Sequence, residues 1–476
     1  MKILYAVSEA YPFIKTGGLG DVAYALPKAL SKLGLDVRVI LPKYSEIPLK
    51  YLEKMIKIAE FNIQLGWRNQ YCGLFKLEEE GISFYFIDNE YYFKRAKPYG
   101  DLDDGEKFSF FSKAVLEAIN YMEGFSPDVL HCNDWHTAIA IPLLKEHYSE
   151  SSLHSKIKTI LTIHNLKYQG VFEKEMLHEM LNLREEYFSE DRLKFYDRIS
   201  FLKGGIMFAD AINTVSITYA EEIKTEDYGE GLHGLLYSRS KDLYGIVNGL
   251  DTELNDPRKD KSIFYNYDEN SFQLKKLNKE QLQKKLGLPI NIDIPVVGMV
   301  TRLEEQKGLE LIEEVIDEIL KEDIQLIVLG TGNKKYEDMF RYYETNNSKK
   351  LSANLYFDGI LAQQIYSASD IFLMPSKFEP CGIGQLIALR YGSIPIVRET
   401  GGLNDTVFSY NEHTGDGNGF SFKNFNSKDM LYTIRRVIKC YYQKEVWSEL
   451  VERAIKGDYS WNKSAQEYLN MYNNII

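Results

Sequence analysis

Short apolar runs alternate with helical stretches along this chain. The first run is Ile3-Leu4-Tyr5-Ala6-Val7. It enters Lys15-Thr-Gly-Gly-Leu-Gly-Asp21, after which Val22, Leu26, Ala29, Leu30 and Leu33 recur at helical spacing until Gly34. Asp36–Pro42 is a second apolar strand, so the opening forms a βαβ unit and predicts a parallel sheet. Residues 56–65, 71–77 and 82–87 alternate differently and read as inserted or edge strands, and the aromatic, basic stretch 91–100 reads as a loop. A helix at 108–122, a strand at 127–131 and a β-branched strand at 158–163 follow. Residues 201–209 read as a helix, and 211–215 and 244–251 as a strand and a strand with its turn.

The periodicity then stops. Residues 252–290 are charged and rich in Asn, Asp and Lys, which puts a domain boundary near 244–260. The βαβ pattern restarts with strands at 294–301, 324–329, 370–375 and 393–397 and helices at 309–321 and 386–391. Two doubly wound α/β domains are the expected architecture, and such domains bind ligands at the carboxyl ends of their strands. The tail from 458 to 476 reads as a helix that begins Ser460-Trp461.

Composition narrows the classes. The 476 residues, 44% hydrophobic and 26% charged, suit a soluble protein with two or three full cores. A net charge of −12 argues against nucleic-acid or membrane-surface partners. The four cysteines are scattered without a C-x-x-C pair, which fits a reducing cytoplasm better than a disulfide framework or zinc site. The first apolar run is too short for a signal peptide and reads as a buried strand.

The chemistry-bearing residues cluster after the strands. In 15–21, three glycines allow close backbone approach, Asp21 is placed to cap the helix and Lys15 adds charge, an anion-binding pattern that does not match G-x-G-x-x-G. Asn133-Asp134-Trp135-His136 and His164-Asn165, with Tyr168-Gln169-Gly170, follow two strands at the edge where open sheets bind ligands. Arg302 and Lys307 share one strand-to-helix loop and suit a leaving diphosphate. Glu379, in Pro375-Ser-Lys-Phe-Glu-Pro-Cys-Gly382, can bind hydroxyls or stabilise positive charge at an anomeric carbon. Glu399-Thr-Gly401-Gly402 mirrors the first glycine loop. Asp101, Asp103 and Asp104 make a D-x-D pattern without a strand directly before it, a weak metal signal.

Together these stretches resemble the bacterial glycogen synthase and plant starch synthase family, glycosyltransferase family 5. The resemblance rests on KTGGLGDV at 15–22, NDWHT at 133–137, TIHNLKYQG at 162–170, VNGLDTE at 247–253, TRLEEQKGL at 301–309, PSKFEPCGIGQ at 375–385 and ETGGLNDTV at 399–407, in order across nearly the whole chain. It implies a GT-B fold, with two Rossmann-like domains facing a central cleft. Residues 1–245 would form the acceptor domain and 246–458 the donor domain, and 459–476 would be a helix returning to the first domain. It implies retaining, metal-independent transfer of glucose from ADP-glucose to the non-reducing end of an α-1,4-glucan such as glycogen, with no cofactor.

The resemblance also implies roles. Lys15, Arg302 and Lys307 would hold the diphosphate, and Gly18, Gly401 and Gly402 would offer N–H groups to phosphates or nearby hydroxyls. His164 would lie at the reacting glucose, with Asn165 and Asn248 near its hydroxyls, and Glu379 would bind the donor or stabilise an oxocarbenium-like transition state. Asp134, Trp135, His136 and Tyr168 would face the acceptor. His164, Glu379, Asp134, Arg302 and Lys307 form the implied catalytic set. The chain departs from relatives in having Asn133 where many have His, Phe357 where some have a base-stacking Tyr, Phe93 near the place of a donor-side Tyr, and Leu254-Asn255 where a Trp is common. Gln385 agrees with the synthases. UDP-glucose dependence, another GT-B transferase and a non-catalytic glucan-binding regulator are the alternatives.

Overall fold

The computed structural model describes residues 1–476. The chain forms two compact units, Met1–Asn248 with Trp461–Ile476, and Gly249–Ser460.

In the first unit the strands are β1 (Lys2–Ala6), β2 (Asp36–Pro42), β3 (Ile56–Leu65), β4 (Arg68–Glu79), β5 (Ile82–Asp88), β6 (Val129–Asn133), β7 (Lys158–Ile163), β8 (Val171–Phe172), β9 (Lys194–Phe195), β10 (Arg198–Ser200), β11 (Ala211–Thr214) and β12 (Leu243–Gly245). Nine of them form one sheet, in the order β12-β11-β7-β6-β1-β2-β5-β4-β3. It is parallel from β12 to β5, and β4 and β3 extend it antiparallel at one edge. β1, β6 and β7 are almost wholly buried, as expected for parallel strands covered on both faces. The chain winds outward from β1 through β2 in one direction and from β6 through β7 in the other. The switch point therefore lies between β1 and β6, beside residues 8–20 and 134–136.

The final helix, Trp461–Ile475, packs on the Gly18–Lys32 helix, so the tail does return to the first unit. Tyr472 Oη lies 2.8 Å from His131 Nδ1, and Asn213 Nδ2 donates to Tyr468 Oη at 3.0 Å, tying that helix to β6 and β11. No helix is long and apolar enough to cross a membrane.

In the second unit β13 (Val296–Val300), β14 (Gln325–Leu329), β15 (Leu351–Asn354), β16 (Ile371–Met374), β17 (Ile394–Arg398) and β18 (Phe420–Phe422) form a parallel sheet. Its order is β15-β14-β13-β16-β17-β18, so the switch point lies between β13 and β16. The Leu309–Lys321 helix buries Leu309, Ile312, Ile316 and Ile319 along one stripe, the spacing visible in the sequence.

Several local expectations change. Asp21 does not cap its helix: Gly17 is the N-cap residue, and Asp21 sits in the first turn with its carboxylate 2.8 Å from Lys15 Nζ. Leu33 lies beyond that helix and is 39% exposed. The stretch 91–100 begins with a short helix, Glu90–Phe93, and the carboxylates of Asp101, Asp103 and Asp104 face Arg95 and Lys107. The charged region after 252 holds the Lys275–Lys285 helix, whose Lys275, Asn278, Lys279 and Gln283 are buried. Those polar groups cap main-chain carbonyls. Lys275 Nζ donates to Ser367 O and Tyr391 O, both at 2.8 Å, and Lys279 Nζ lies 2.7 Å from Asp370. Phe93 is a core residue packed on Tyr44, Phe110 and Phe111. It therefore cannot present a donor-side face.

Candidate active site

The first glycine loop is organised by a residue outside it. Glu9, 1% exposed, reaches into the turn. Its Oε1 accepts from Gly17 N at 3.2 Å and Gly20 N at 3.1 Å, and its Oε2 accepts from Thr16 N at 2.7 Å and Thr16 Oγ1 at 2.5 Å. Tyr99 Oη donates to the same oxygen at 3.3 Å and also contacts Thr16 Oγ1. The sequence pattern predicts free amides for a ligand anion, whereas three of them already serve a carboxylate of the protein. Gly18 N is not among Glu9's partners. Burial raises the Glu9 carboxyl above the usual carboxylate range, against the pull of Thr16 and the loop amides. An aromatic residue of the 91–100 stretch does reach this loop, and it is Tyr99.

Across the switch point, β6 ends in Asn133. Its Nδ2 donates to Ala6 O at 3.0 Å, and its Oδ1 accepts from Tyr5 Oη at 2.8 Å and lies 2.9 Å from His164 Nε2. An amide oxygen only accepts, so this pairing puts the His164 proton on Nε2 and leaves Nδ1 as an acceptor. Loss of hydration drives the partly buried His164 well below the usual imidazole range, so its ring is neutral. Asp134 follows with φ of 55°, a left-handed conformation that is strained for a residue other than glycine. The turn aims its Oδ1 at His164 N, 2.8 Å away. Burial pushes the Asp134 carboxyl up to about 7, against the lowering effect of the His164 and Asn165 amides.

The set read as facing the acceptor divides by exposure. Trp135 and His136 stack at 4.1 Å between ring centroids and pack against Phe108 and Phe172. Both are buried, forming a floor instead of an open platform, and both His136 ring nitrogens lack a partner. Burial, with Lys107 nearby, lowers His136 to about 3. Gly170 has φ of 60°, and a Cβ there would fall 2.4 Å from the Trp135 ring, so the loop needs glycine to lie on this floor. Tyr168 is 45% exposed and available to a ligand. Asn165 Oδ1 accepts from Lys167 N at 3.1 Å. Asn248 is buried with an unpartnered Oδ1, an acceptor suited to a hydroxyl donor.

At the switch point of the second unit the loops after β13 and β16 meet. Lys307 Nζ lies 2.6 Å from Glu379 Oε2, which also accepts from Ser376 Oγ at 3.1 Å. A Cβ on Gly308, whose φ is 70°, would sit 1.9 Å from Pro375 O, so the loops touch through their backbones. Arg302 is half-exposed, 3.4 Å from Glu304. The second glycine loop differs from its expected role. Gly402 N already donates to Glu379 O at 3.2 Å and Pro380 O at 3.1 Å, and a Cβ on Gly401 would lie 1.9 Å from Glu379 O. These glycines let the main chain pass behind Glu379. Gln385 Nε2 donates to Cys381 O, Gly382 O and Thr406 Oγ1, and buried Arg398 holds Ser376 O and Lys377 O. Phe357 is 91% exposed on the loop after β15.

Sequence reasoning missed Glu9, Tyr99, Tyr5 and Arg398, which support the site without displaying a motif. Glu9 could have been found as the carboxylate on the loop between β1 and the glycines, at the switch-point edge.

Comparison with known proteins adds an independent line. Residues 2–238 match the starch synthase catalytic domain model, and residues 279–457 match that of glycosyl transferases group 1. The chain is 66% identical over 476 residues to a glycogen synthase of Clostridium novyi (strain NT), covering 100% of this chain and 99% of that protein. It is 58% identical over 477 residues to one of Clostridium acetobutylicum, covering 100% of both. The catalytic domain of starch synthase IV from Arabidopsis thaliana, solved bound to ADP and acarbose, superposes with a TM-score of 0.93 at 35% identity, over 100% of this chain and 99% of that one.

Proposed function

The chain belongs to the starch and glycogen synthase family of glycosyltransferases, and we propose that it transfers glucose from ADP-glucose to the non-reducing end of an α-1,4-glucan with retention of configuration. The observation that carries this reading is the Lys307–Glu379 pair at the switch point of the second sheet. Glu379, itself held by the Ser376 hydroxyl, fixes the Lys307 ammonium at one point, where it meets phosphate oxygens without first having to be ordered. A charge-assisted hydrogen bond contributes about 1.5–3 kcal/mol. Its contribution grows as the anomeric C–O bond breaks and negative charge gathers on the departing diphosphate. Arg302, on the same loop as Lys307, adds positive charge to this leaving group, and no metal ion is required in this account. The starch synthase IV structure is bound to ADP, which supports an ADP-glucose donor here.

Glu379, beside the ammonium, faces the positive charge that develops at the anomeric carbon or receives donor hydroxyls. Neutral His164 offers Nδ1 to a glucose hydroxyl, while its Nε2–H stays on Asn133. The acceptor hydroxyl attacks the face the phosphate leaves: a bond from its oxygen to the anomeric carbon forms, the carbon–phosphate-oxygen bond breaks, and the proton passes to the diphosphate. Trp135, Tyr168 and His136 shape the acceptor side, and Asp134 positions His164 through its main-chain amide. The four cysteines are unpaired and buried, which supports a reducing cytoplasmic setting.

The test is chain extension. A maltooligosaccharide labelled at its reducing end, incubated with the protein and ADP-glucose, gains single hexose units in α-1,4 linkage. A β-linked product, or no extension of any glucan, contradicts the reading.

A further inference from the structure

Beneath His164 lies a buried polar chain whose members have fixed hydrogen-bonding roles. It starts at Ala6 O on β1, a group that only accepts. Asn133 Nδ2 donates to it at 3.0 Å, which turns the amide oxygen the other way. That oxygen has two lone pairs, and two side chains take them: Tyr5 Oη donates at 2.8 Å and His164 Nε2–H at 2.9 Å. The other ring nitrogen, Nδ1, takes no part in this chain, and His164 is only partly buried. With Tyr5 on one lone pair, the imidazole is left a single in-plane direction of approach to the other.

Tyr5 is itself held in place. Its side chain is buried and meets the His131 ring edge-on, with centroids 4.8 Å apart. His131 is fixed at both nitrogens: Nδ1 accepts from Tyr472 Oη at 2.8 Å, and Nε2 donates to Thr162 Oγ1 at 2.5 Å. The sense follows from Thr162, whose hydroxyl proton goes to Asn213 Oδ1, while Asn213 Nδ2 donates to Tyr468 Oη. The final helix therefore backs the wall on which Tyr5 rests. Burial, with Tyr468, Tyr472 and Asp134 nearby, holds the Tyr5 phenol well above its usual range, so the hydroxyl keeps its proton and stays a donor.

We propose that Tyr5 is a positioning residue for glucosyl transfer: through Asn133 it fixes the His164 ring so that the Nδ1 lone pair meets a hydroxyl of the reacting glucose. The proposal rests on the transfer reading above and deepens it. Only a hydroxyl that donates satisfies such a nitrogen, so the ring selects the direction of that O–H bond as well as its place. Angular freedom in the ring is costly, since small misplacements remote from the reacting bond lower turnover.

Tyr5→Phe removes one hydroxyl and keeps the ring against His131. Its kcat is expected to fall about three- to tenfold, the worth of one hydrogen bond, with KM for glycogen within about twofold of wild type. In a His164→Ala background the same change should alter kcat by less than about 1.5-fold, because Tyr5 acts through that ring. Equal losses in both backgrounds, or wild-type kcat in Tyr5→Phe, overturn the proposal. Nitrogen-15 spectra of histidine-labelled protein give a readout without turnover, with His164 identified by its absence from His164→Ala. The wild-type ring should carry its proton on Nε2 and show no titration between about pH 5.5 and 8. Tyr5→Phe should shift or broaden the two His164 nitrogen signals. A proton on Nδ1, or signals unmoved by Tyr5→Phe, overturns the proposal. If the wild type transfers glucose to no glucan, the transfer reading fails, and these spectra still decide whether Tyr5 sets the ring.

Discussion

Asp134 shows how much chemistry one side chain takes from its backbone. Its left-handed turn carries the carboxylate into a buried position on the His164 amide, where its pKa rises from 3.8 to about 7. Between those values the folded protein holds a proton that the unfolded chain releases. Unfolding free energy therefore falls as pH rises through this window, by at most about 1.4 kcal/mol per pH unit, and the effect is complete above the folded pKa. Asp134→Asn removes this dependence. Urea unfolding at pH 4.5 and pH 7.5 should show a smaller loss of stability in the variant than in the wild type. Equal losses would mean that Asp134 is not held protonated by the fold. The position of this residue was legible in the sequence, because a polar cluster directly after a buried strand marks the ligand edge. Its strain and raised pKa were not, because they arise from a φ angle and from neighbours 30 residues away. Phe93 and Tyr99 illustrate the same limit: an aromatic-rich stretch predicts that a ring reaches the site, and only packing decides which one.

At the scale of elements, the glycine loop was legible as a strand-to-helix turn and misread as a set of vacant amides. Glu9 fills the role assigned to a ligand anion by accepting from Thr16, Gly17 and Gly20. It fixes the loop that carries Lys15 and Gly18, and it is a positioning residue. Glu9→Ala is expected to speed hydrogen exchange at those three amides and raise KM for the nucleotide sugar, while glycogen retardation in native gels stays at the wild-type level. Unchanged exchange at the three amides would count against this role. The Lys275–Lys285 helix was illegible for a different reason. Hydrophobic periodicity finds helices that bury apolar stripes, and this one buries the Lys275 ammonium, which donates to Ser367 O and Tyr391 O, and the Asn278 amide, which donates to Tyr265 O. The apolar stripe of the Leu309–Lys321 helix, by contrast, was legible in the sequence.

Across the whole molecule, two largely parallel sheets each place their motif-bearing loops at a switch point, between β1 and β6 and between β13 and β16. Strand order explains why motifs far apart in sequence become one site within each unit. The loops at 301–308 and 375–385 join through Lys307 and Glu379, and those at 133–136 and 162–170 through Asn133, Asp134 and His164. The repeated βαβ pattern made this architecture legible, whereas the donor's base was not, since an exposed phenyl ring such as that of Phe357 carries no hydrogen-bonding group that would tell one base from another. The decisive measurement is therefore release of nucleoside diphosphate from ADP-glucose or UDP-glucose, with and without glycogen, in the presence of EDTA. The account predicts glycogen-dependent release of ADP, undiminished by the chelator, and little release of UDP. Preference for UDP-glucose, or no glycogen-dependent release from either donor, would contradict it.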